Sequence, residues 1–147
     1  MKVQDVMTKD PVCVTPGASI REAAQLMQRE DIGIVPVVDE QGTKRLVGVV
    51  TDRDIAIRIV AEGRGGDTRV SEIMSTRDLA TCSADDDIAE VMEAMADEQV
   101  RRIPIIDGGG LLVGIVAQAD IVRKTRDSER AERTVEQISQ PSGKHTK

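Results

Sequence analysis

The chain has 147 residues, a net charge of −6 and no aromatic residue. The acidic balance argues against a protein whose main task is to hold nucleic-acid backbone, and the lack of Phe, Tyr and Trp excludes base stacking on aromatic side chains. No apolar run reaches the length of a membrane span and no signal-peptide pattern follows Met1, so we expect a cytoplasmic protein without membrane contact.

The first predicted elements are a short strand and an amphipathic helix. Apolar residues around Val12–Val14 indicate the strand. Ser19 and Glu22 have the spacing of a capping box, in which a hydroxyl and a carboxylate bind backbone amides at a helix start. Behind this cap, apolar residues recur with helical spacing, which predicts a buried stripe made of Ile20, Ala23, Ala24 and Met27.

Two β-branched runs follow, Ile34–Val38 and Leu46–Val50, and a polar turn that contains Gly42 joins them. Continuous apolar runs of this length predict buried strands of a small sheet. A second helix is predicted to begin near Asp52 and to end at Gly63, because glycine readily takes the left-handed conformation that terminates a helix.

The same order of elements returns about 67 residues later, which indicates a tandem duplication. The matching pairs are Val3–Thr8 with Val70–Ser75, Val12–Val14 with Leu79–Cys82, Ser19–Glu22 with Asp87–Glu90, Ile34–Asp39 with Arg102–Asp107, Leu46–Val50 with Leu112–Val116, and Asp54–Ile55 with Asp120–Ile121. We therefore predict a mixed α+β fold, in which two tandem β-α-β-β-α repeats pack with pseudo-two-fold symmetry. The predicted units are residues 1–62, a linker over 63–69, and residues 70–126.

Residues 127–147 form a highly charged tail. We expect it to be helical at first and disordered from Gln140 onward, and to offer a surface for a protein partner. Cys13 and Cys82 lack the spacing of a zinc site or a disulfide framework, which indicates a reducing compartment. The single histidine, His145, lies in this tail, so a histidine-based catalytic triad or metal cluster is not expected.

The doubled motifs resemble a tandem pair of CBS (cystathionine β-synthase) domains, often called a Bateman module. The residues that carry the resemblance are Met7-Thr8 and Met74-Ser75, Val35-Pro36-Val37 and Ile103-Pro104-Ile105, and Gly48–Asp54 with Gly114–Asp120. The resemblance covers about residues 1–125 and implies a regulatory module without catalysis. Similar proteins bind AMP, ATP, other adenosyl compounds or NAD in clefts between the repeats, and often pair into flat dimers. For this chain, the resemblance implies a homodimer that binds a nucleotide as a regulatory ligand and requires no cofactor.

A candidate nucleotide site combines an acceptor for ribose with donors for phosphate. The carboxylate of Asp54 can accept hydrogen bonds from both ribose hydroxyls, and Thr51 adds a hydroxyl near a helix start that favours phosphate. In similar proteins, basic residues at the positions of Arg101 and Arg102 reach the phosphates of a nucleotide whose ribose is held by the other repeat. We therefore expect the main site to combine Thr51 and Asp54 with Arg101, Arg102 and Ile103.

The mirror site is expected to be weaker. Asp120 keeps the ribose acceptor, but Ala117 replaces the threonine. Gly33-Ile34, followed by Val35, replaces the arginine pair. Phosphate bound there loses charge-assisted hydrogen bonds, each worth about 1.5–3 kcal/mol.

Simpler interpretations stay open for these residues. Thr51 and Asp54 also fit a helix cap, Asp120 a first-turn carboxylate, and Arg101-Arg102 a solvated pair at a helix end. At the level of the whole protein, the alternative is a structural or dimerisation module whose clefts are empty or degenerate. Intrinsic enzymatic activity is not expected, because the sequence offers neither a nucleophile–base pair nor a metal cluster.

Overall fold

The computed structural model describes residues 1–139, and its helices and strands alternate as in a mixed α+β fold. The strands are β1 Thr8–Lys9, β2 Ile34–Val38, β3 Leu46–Thr51, β4 Arg102–Ile106 and β5 Leu112–Ala117. The helices are α1 Ile20–Glu30, α2 Asp52–Ile55 with a π-helical continuation over Ala56–Val60, α3 Ile88–Glu98 and α4 Gln118–Ser139, and short 3-10 turns cover Val3–Asp5 and Val70–Glu72. Among the described residues, no helix is both long and apolar enough to cross a bilayer.

The two amphipathic helices begin at side-chain caps. The Ser19 hydroxyl accepts a hydrogen bond from the Glu22 amide at 3.1 Å, as the capping-box spacing predicts. Asp87 instead accepts from the amide of Ala89, one residue earlier than predicted. Glu90 is therefore not the residue whose amide Asp87 caps.

The predicted strands form two antiparallel hairpins. β2 pairs with β3 so that Ile34 lies opposite Thr51, and β4 pairs with β5 so that Arg102 lies opposite Ala117. The strands predicted around Val12–Val14 and Leu79–Cys82 are wrong in extent. Each is reduced to one parallel bridge, Val14 to Val37 and Cys82 to Ile105, because only those residues reach the hairpin backbone.

The leading segment of each repeat packs on the other repeat. The amide of Val3 donates to the carbonyl of Asp86 at 2.9 Å, and β1 extends the second hairpin by pairing Thr8 with Ile115. In the reciprocal exchange, the amide of Val70 donates to Ala18 at 2.8 Å, and Ser75 bridges Val49. Each packed lobe is therefore built from both repeats. The boundaries predicted at 62/63 and 69/70 refer to the sequence repeats, and the division of the chain into two domains at these positions stays a prediction.

Two cores result from this exchange. We call the lobe that contains the first hairpin the first lobe and the other the second lobe. The first-lobe core contains Val14, Ile20, Ala23, Met27, Val35, Val37, Val50, Ile59, Val70 and Ile73. The second-lobe core contains Val3, Val6, Val91, Met95, Ile103, Ile105, Val116 and Ile121. Ile20, Ala23 and Met27 come from the predicted stripe of α1, and Val91 and Met95 of α3 are their counterparts in the second lobe.

The lobes join at their hairpin turns with the predicted pseudo-two-fold relation. The amide of Leu46 donates to the carbonyl of Gly110 at 3.1 Å, and the amide of Leu112 donates to the carbonyl of Lys44 at 2.7 Å. The two bonds relate equivalent leucines to equivalent turns. The candidate site residues lie at the opposite end of each hairpin, where Ile34 pairs with Thr51 and Arg102 pairs with Ala117.

Gly63 has a φ of +70°, the left-handed conformation predicted at the end of the second helix. The helix itself loosens before that point, because a π-helical stretch over Ala56–Val60 follows its first turn. At the chain's other end, α4 extends the predicted helix to Ser139. The disorder expected from Gln140 onward lies outside the described residues.

Candidate functional site

Thr51 and Asp54 form a reciprocal capping box at the start of α2. The amide of Asp54 donates to the Thr51 hydroxyl at 3.1 Å, and the amide of Thr51 donates to Oδ2 of Asp54 at 3.0 Å. Both side chains are partly buried. The capping interpretation of these residues is therefore correct, and a ribose would compete with a backbone amide for Oδ2.

The start of β2 lies beside this cap. The amide of Asp52 donates to the carbonyl of Gly33 at 2.9 Å, and Ile34 pairs with Thr51. A Cβ on Gly33 would lie 2.9 Å from the Asp52 carboxylate, an exposed side chain that would have to move to make room for it. Val35 is fully buried, and its side chain packs in the first-lobe core.

The equivalent strand start in the second repeat carries the arginines. The amide of Gln118 donates to the carbonyl of Arg101 at 2.8 Å, and Arg102 pairs with Ala117. Ile103 is fully buried in the second-lobe core. Arg101 and Arg102 therefore lie next to the strand end that leads to Asp120.

A cavity of about 190 Å³ lies between the lobes, and we call it the interlobe cavity. Its lining is Thr8, Pro11, Val12, Glu30, Ile32, Pro36, Arg102, Ile115, Ala117 and Asp120. These residues come from the N-terminal segment, from the end of α1 and both sides of the Gly33–Val35 stretch, from the second hairpin, and from the first turn of α4, which carries Asp120. Asp120 and Arg102 thus share one cleft with apolar side chains of the first repeat.

A second, more open cavity of about 790 Å³ adjoins the first, and we call it the arginine cavity. Its lining is Arg101, Arg102, Ala117, Gln118, Ala119, Val122, Arg123, Arg126, Asp127 and Arg130. Arg102 and Ala117 line both cavities. Nη2 of Arg123 contacts Oδ1 of Asp120 at 2.5 Å, so the carboxylate is held next to the cationic surface.

The expected pairing of Asp54 with Arg101 and Arg102 stays a prediction. Neither of the two cavities that contain Arg102 contains Asp54. The structure instead brings Arg102 together with Asp120, through the register of the second hairpin. The arginines that could bind a phosphate therefore lie beside Asp120, the acceptor of the mirror site.

Sequence analysis did not single out several residues of the interlobe cavity. Thr8 reaches it because the leading segment is exchanged, and Ile32 and Pro36 flank the predicted stretch Gly33–Val35. Thr8 and Pro36 carried a sequence signal, since Met7-Thr8 and Val35-Pro36-Val37 are doubled motifs. The position of Thr8 in the second lobe could not be deduced from that repetition alone.

The two thiols lie outside both cavities. Burial raises the pKa of Cys13 above that of an ordinary thiol, and the nearby Lys44 opposes the shift. Burial also raises the pKa of Cys82, and the carboxylates of Asp86 and Glu90 add to this shift. Over the residues described, no three metal-ligating side chains cluster around a possible ion position.

A family model described as CBS domain matches this chain twice, over residues 3–61 and 70–127. The CBS domain-containing protein YhcV of Bacillus subtilis is 43% identical over 137 residues, which are 93% of this chain and 94% of YhcV. The CBS domain pair of protein MJ0100, solved in complex with 5-methylthioadenosine and S-adenosyl-L-methionine, is similar with a TM-score of 0.74 and 30% identity. That likeness covers 87% of this chain and 98% of the other. The CBS domain protein PAE2072 from Pyrobaculum aerophilum, complexed with AMP, has a TM-score of 0.73 and 26% identity over 82% of this chain and 89% of its own.

Proposed function

This chain belongs to the CBS domain family and carries two copies of the domain, and on that basis we propose that it is a regulatory module that binds an adenosyl nucleotide between its repeats. The observation that carries the proposal is the interlobe cavity, whose lining contains both Asp120 and Arg102. An anionic sugar ligand needs both an acceptor for its hydroxyls and a donor for its phosphate.

The chemistry of the cavity matches the parts of a nucleotide. The Asp120 side chain is 28% exposed, so one carboxylate oxygen bound to Arg123 still leaves acceptor capacity for ribose hydroxyls. Val12, Ile32 and Ile115 offer apolar walls for a purine. Because the chain has no aromatic residue, aliphatic packing must replace ring stacking.

Known ligands of similar proteins support the adenosyl class. PAE2072 was crystallised with AMP, and MJ0100 with 5-methylthioadenosine and S-adenosyl-L-methionine. These ligands share an adenosine and differ in what is attached to its 5′ carbon. We propose that this chain likewise recognises the adenosine half, takes AMP, ATP or a related adenosyl ligand including NAD, and acts by binding rather than by catalysis.

We propose a second nucleotide site, related to the first by the pseudo-two-fold symmetry. It is formed by Thr51 and Asp54 together with the neighbouring residues Gly33, Ile34 and Val35. We expect weaker binding there for two reasons. The capping box already uses the Thr51 hydroxyl and Oδ2 of Asp54, and no arginine occupies the strand start, where Gly33 and Ile34 stand.

A homodimer is part of the proposal. Ile57 and Val60 are 47% and 71% exposed, so the helical segment after Thr51 leaves large apolar side chains in water. A second copy of the chain would remove this apolar surface from water. Light scattering after gel filtration should give the mass of a dimer, and Val60→Asp should give a monomer. A monomeric wild-type chain would refute this part.

Isothermal titration calorimetry tests the binding proposal. Adenosine, AMP, ATP, S-adenosylmethionine and NAD are titrated into the wild type and into Asp120→Ala, Asp54→Ala and Asp97→Ala. We expect Asp120→Ala to lose at least about tenfold in affinity, the effect of one lost charge-assisted bond. Asp97 is an exposed aspartate of α3 outside both cavities, so its variant serves as the matched control.

The titration also separates the proposal from its alternative. No heat with any of these ligands at millimolar concentration would favour a structural or dimerisation module with degenerate clefts. An Asp54→Ala effect larger than that of Asp120→Ala would restore the first site as the main one. Melting temperatures with and without ligand provide an independent check, because a ligand that binds only the native state raises its stability.

A further inference from the structure

The arginine cavity has a charge opposite to that of the chain as a whole. On a protein with a net charge of −6, five arginines and one aspartate line a space of about 790 Å³. Guanidinium groups that converge on one open cavity repel each other, and a bound polyanion relieves that repulsion. Arginine also donates two parallel bonds to one phosphate, which suits it to this role.

We propose that the arginine cavity is a polyphosphate subsite, so that the Asp120 site prefers an adenosyl nucleotide with two or more phosphates over AMP or an uncharged adenosyl ligand. The inference rests on the proposed function, because it assigns the adenosine half to the interlobe cavity. It adds the chemical class of the ligand and a second group of residues that select it.

The two cavities adjoin each other. The interlobe cavity, at about 190 Å³, is below the range of about 300–1,000 Å³ typical of small-molecule sites. Arg102 and Ala117 line both cavities. In the proposed arrangement, a nucleoside at Asp120 directs its 5′ substituent past Arg102 toward the other arginines.

The cationic lining comes from two elements. Arg101 and Arg102 lie at the start of β4. Arg123, Arg126 and Arg130 are spaced by three and four residues along α4 and therefore share one helix face. The pairing of Arg123 with Asp120 links this face to the proposed ribose acceptor.

The first repeat lacks the same set. Counted from Asp54 as the equivalent of Asp120, the positions of Arg123 and Arg126 are held by Ile57 and Val60. The equivalent of Arg130 is Arg64, so the repeats share one of the three helix arginines and differ at the other two. We therefore assign the polyphosphate subsite to the second repeat, and this asymmetry would make the two clefts respond to different ligands.

The test is a titration of adenosine, AMP, ADP, ATP and inorganic tripolyphosphate at about 0.15 M salt, the physiological ionic strength. We expect ATP to bind the wild type at least about tenfold more tightly than AMP. The double variant Arg126→Ala/Arg130→Ala should remove that preference and leave the affinity for AMP within about twofold, because Arg101 and Arg102 are retained and neither substituted residue lines the interlobe cavity.

The control variant Arg77→Ala/Lys124→Ala removes the same charge. Both side chains are exposed and line neither cavity, and Lys124 lies on the same helix as Arg126. If the control reduces the ATP preference as much as the test variant, the effect is one of net charge and the subsite is refuted. Equal affinities of the wild type for AMP and ATP refute it too, while leaving the proposed function intact.

The remaining arms separate the sources of failure. Tripolyphosphate that binds as tightly as ATP would overturn the link between the two cavities, since the adenosine half would then contribute nothing. If no adenosyl ligand binds, the proposed function and this inference fall together. Preferential ATP binding that the double variant abolishes and the control retains supports the inference.

Discussion

Two glycines in equivalent strands provide a test of the segment exchange and of its link to the site. An alanine Cβ at Gly48 would lie 2.8 Å from the carbonyl oxygen of Ser75. At Gly114 it would lie 2.6 Å from Sδ of Met7 and 3.0 Å from the carbonyl oxygen of Thr8. Both contacts are made to the exchanged segment, so Gly48→Ala and Gly114→Ala each strain one exchange.

The magnitudes follow from what must move. Overpacking costs about 1–3 kcal/mol, and the reduced freedom of the unfolded chain returns about 0.4–1 kcal/mol. At Gly48 the obstacle is backbone, tied by two hydrogen bonds between Val49 and Ser75 of 3.0 and 2.9 Å. At Gly114 the closest atom belongs to a flexible methionine. We expect a net loss of about 1–2 kcal/mol for Gly48→Ala and about 0–1 kcal/mol for Gly114→Ala.

Thermal melts and ligand titrations should rank the variants in opposite orders. A loss of 1 kcal/mol lowers the melting temperature by about 2–4 °C in a chain of this size, so Gly48→Ala should melt lowest. Gly114→Ala should bind nucleotide more weakly than Gly48→Ala, because Thr8 lines the interlobe cavity and Ser75 does not.

Gly42→Ala is the control, since no atom lies within 4 Å of its added Cβ. It should stay within about 0.5 kcal/mol of the wild type. The reasoning fails if Gly114→Ala melts below Gly48→Ala, or if both variants weaken nucleotide binding equally.

Two further predictions concern the second strand end and the thiols. Ala117→Thr supplies the hydroxyl of a capping box, which should draw the Asp120 carboxylate toward the backbone and weaken nucleotide binding. Ala117→Val adds the same bulk without the hydroxyl and should weaken binding less. Equal losses of affinity in the two variants would contradict this. Because burial raises the pKa of Cys13 and Cys82, the folded state keeps protons that the unfolded state releases. Stability should therefore be complete below the ordinary thiol pKa and decline as pH rises through the raised values. Urea midpoints should show this decline in the wild type and less of it in the double serine variant; equal slopes would refute it.

Much of the fold follows from local sequence patterns. The run Ile34–Val38 is a strand with the predicted bounds, and the stripe through Ile20 and Met27 is buried. The predicted strand around Val12–Val14 failed because one bridge to Val37 satisfies the segment, and apolar content alone does not show how many residues pair.

The exchange of leading segments could not be predicted from the repeats. Val3 and Val70 occupy equivalent positions in the two repeats. Their apolar character predicts that each is buried, but it does not say which of the two cores each one joins. The choice between packing within a repeat and packing across repeats depends on chain connectivity and on the path of the linker. Those are properties of the whole fold, which a local pattern does not contain.

The position of the arginines could be predicted only in part. A hairpin with Gly108-Gly109-Gly110 in its turn pairs residues counted outward from the turn, and a pair of Ile106 with Leu112 would then place Arg102 opposite Val116. A register shift between Ile105 and Ile106 places Arg102 opposite Ala117 instead, and no sequence pattern marks that shift. The pairing of Arg101 and Arg102 with Asp54 was taken from family resemblance, across the repeats, and stays a prediction. The hydrogen bonds between β4 and β5 place Arg102 beside the strand end that leads to Asp120.

The interlobe cavity draws together segments that are far apart in the chain. Thr8 comes from the exchanged first segment, Ile32 and Pro36 from the first repeat, and Arg102 and Asp120 from the second. A ligand that contacts all three segments can bind only when the exchange and the lobe contact are both in place. Such a ligand therefore stabilises this arrangement of the lobes. The stabilisation is set by how much more tightly the ligand binds this arrangement than any other. Under the proposed function, nucleotide concentration would set the population of one lobe geometry, and that response needs binding only.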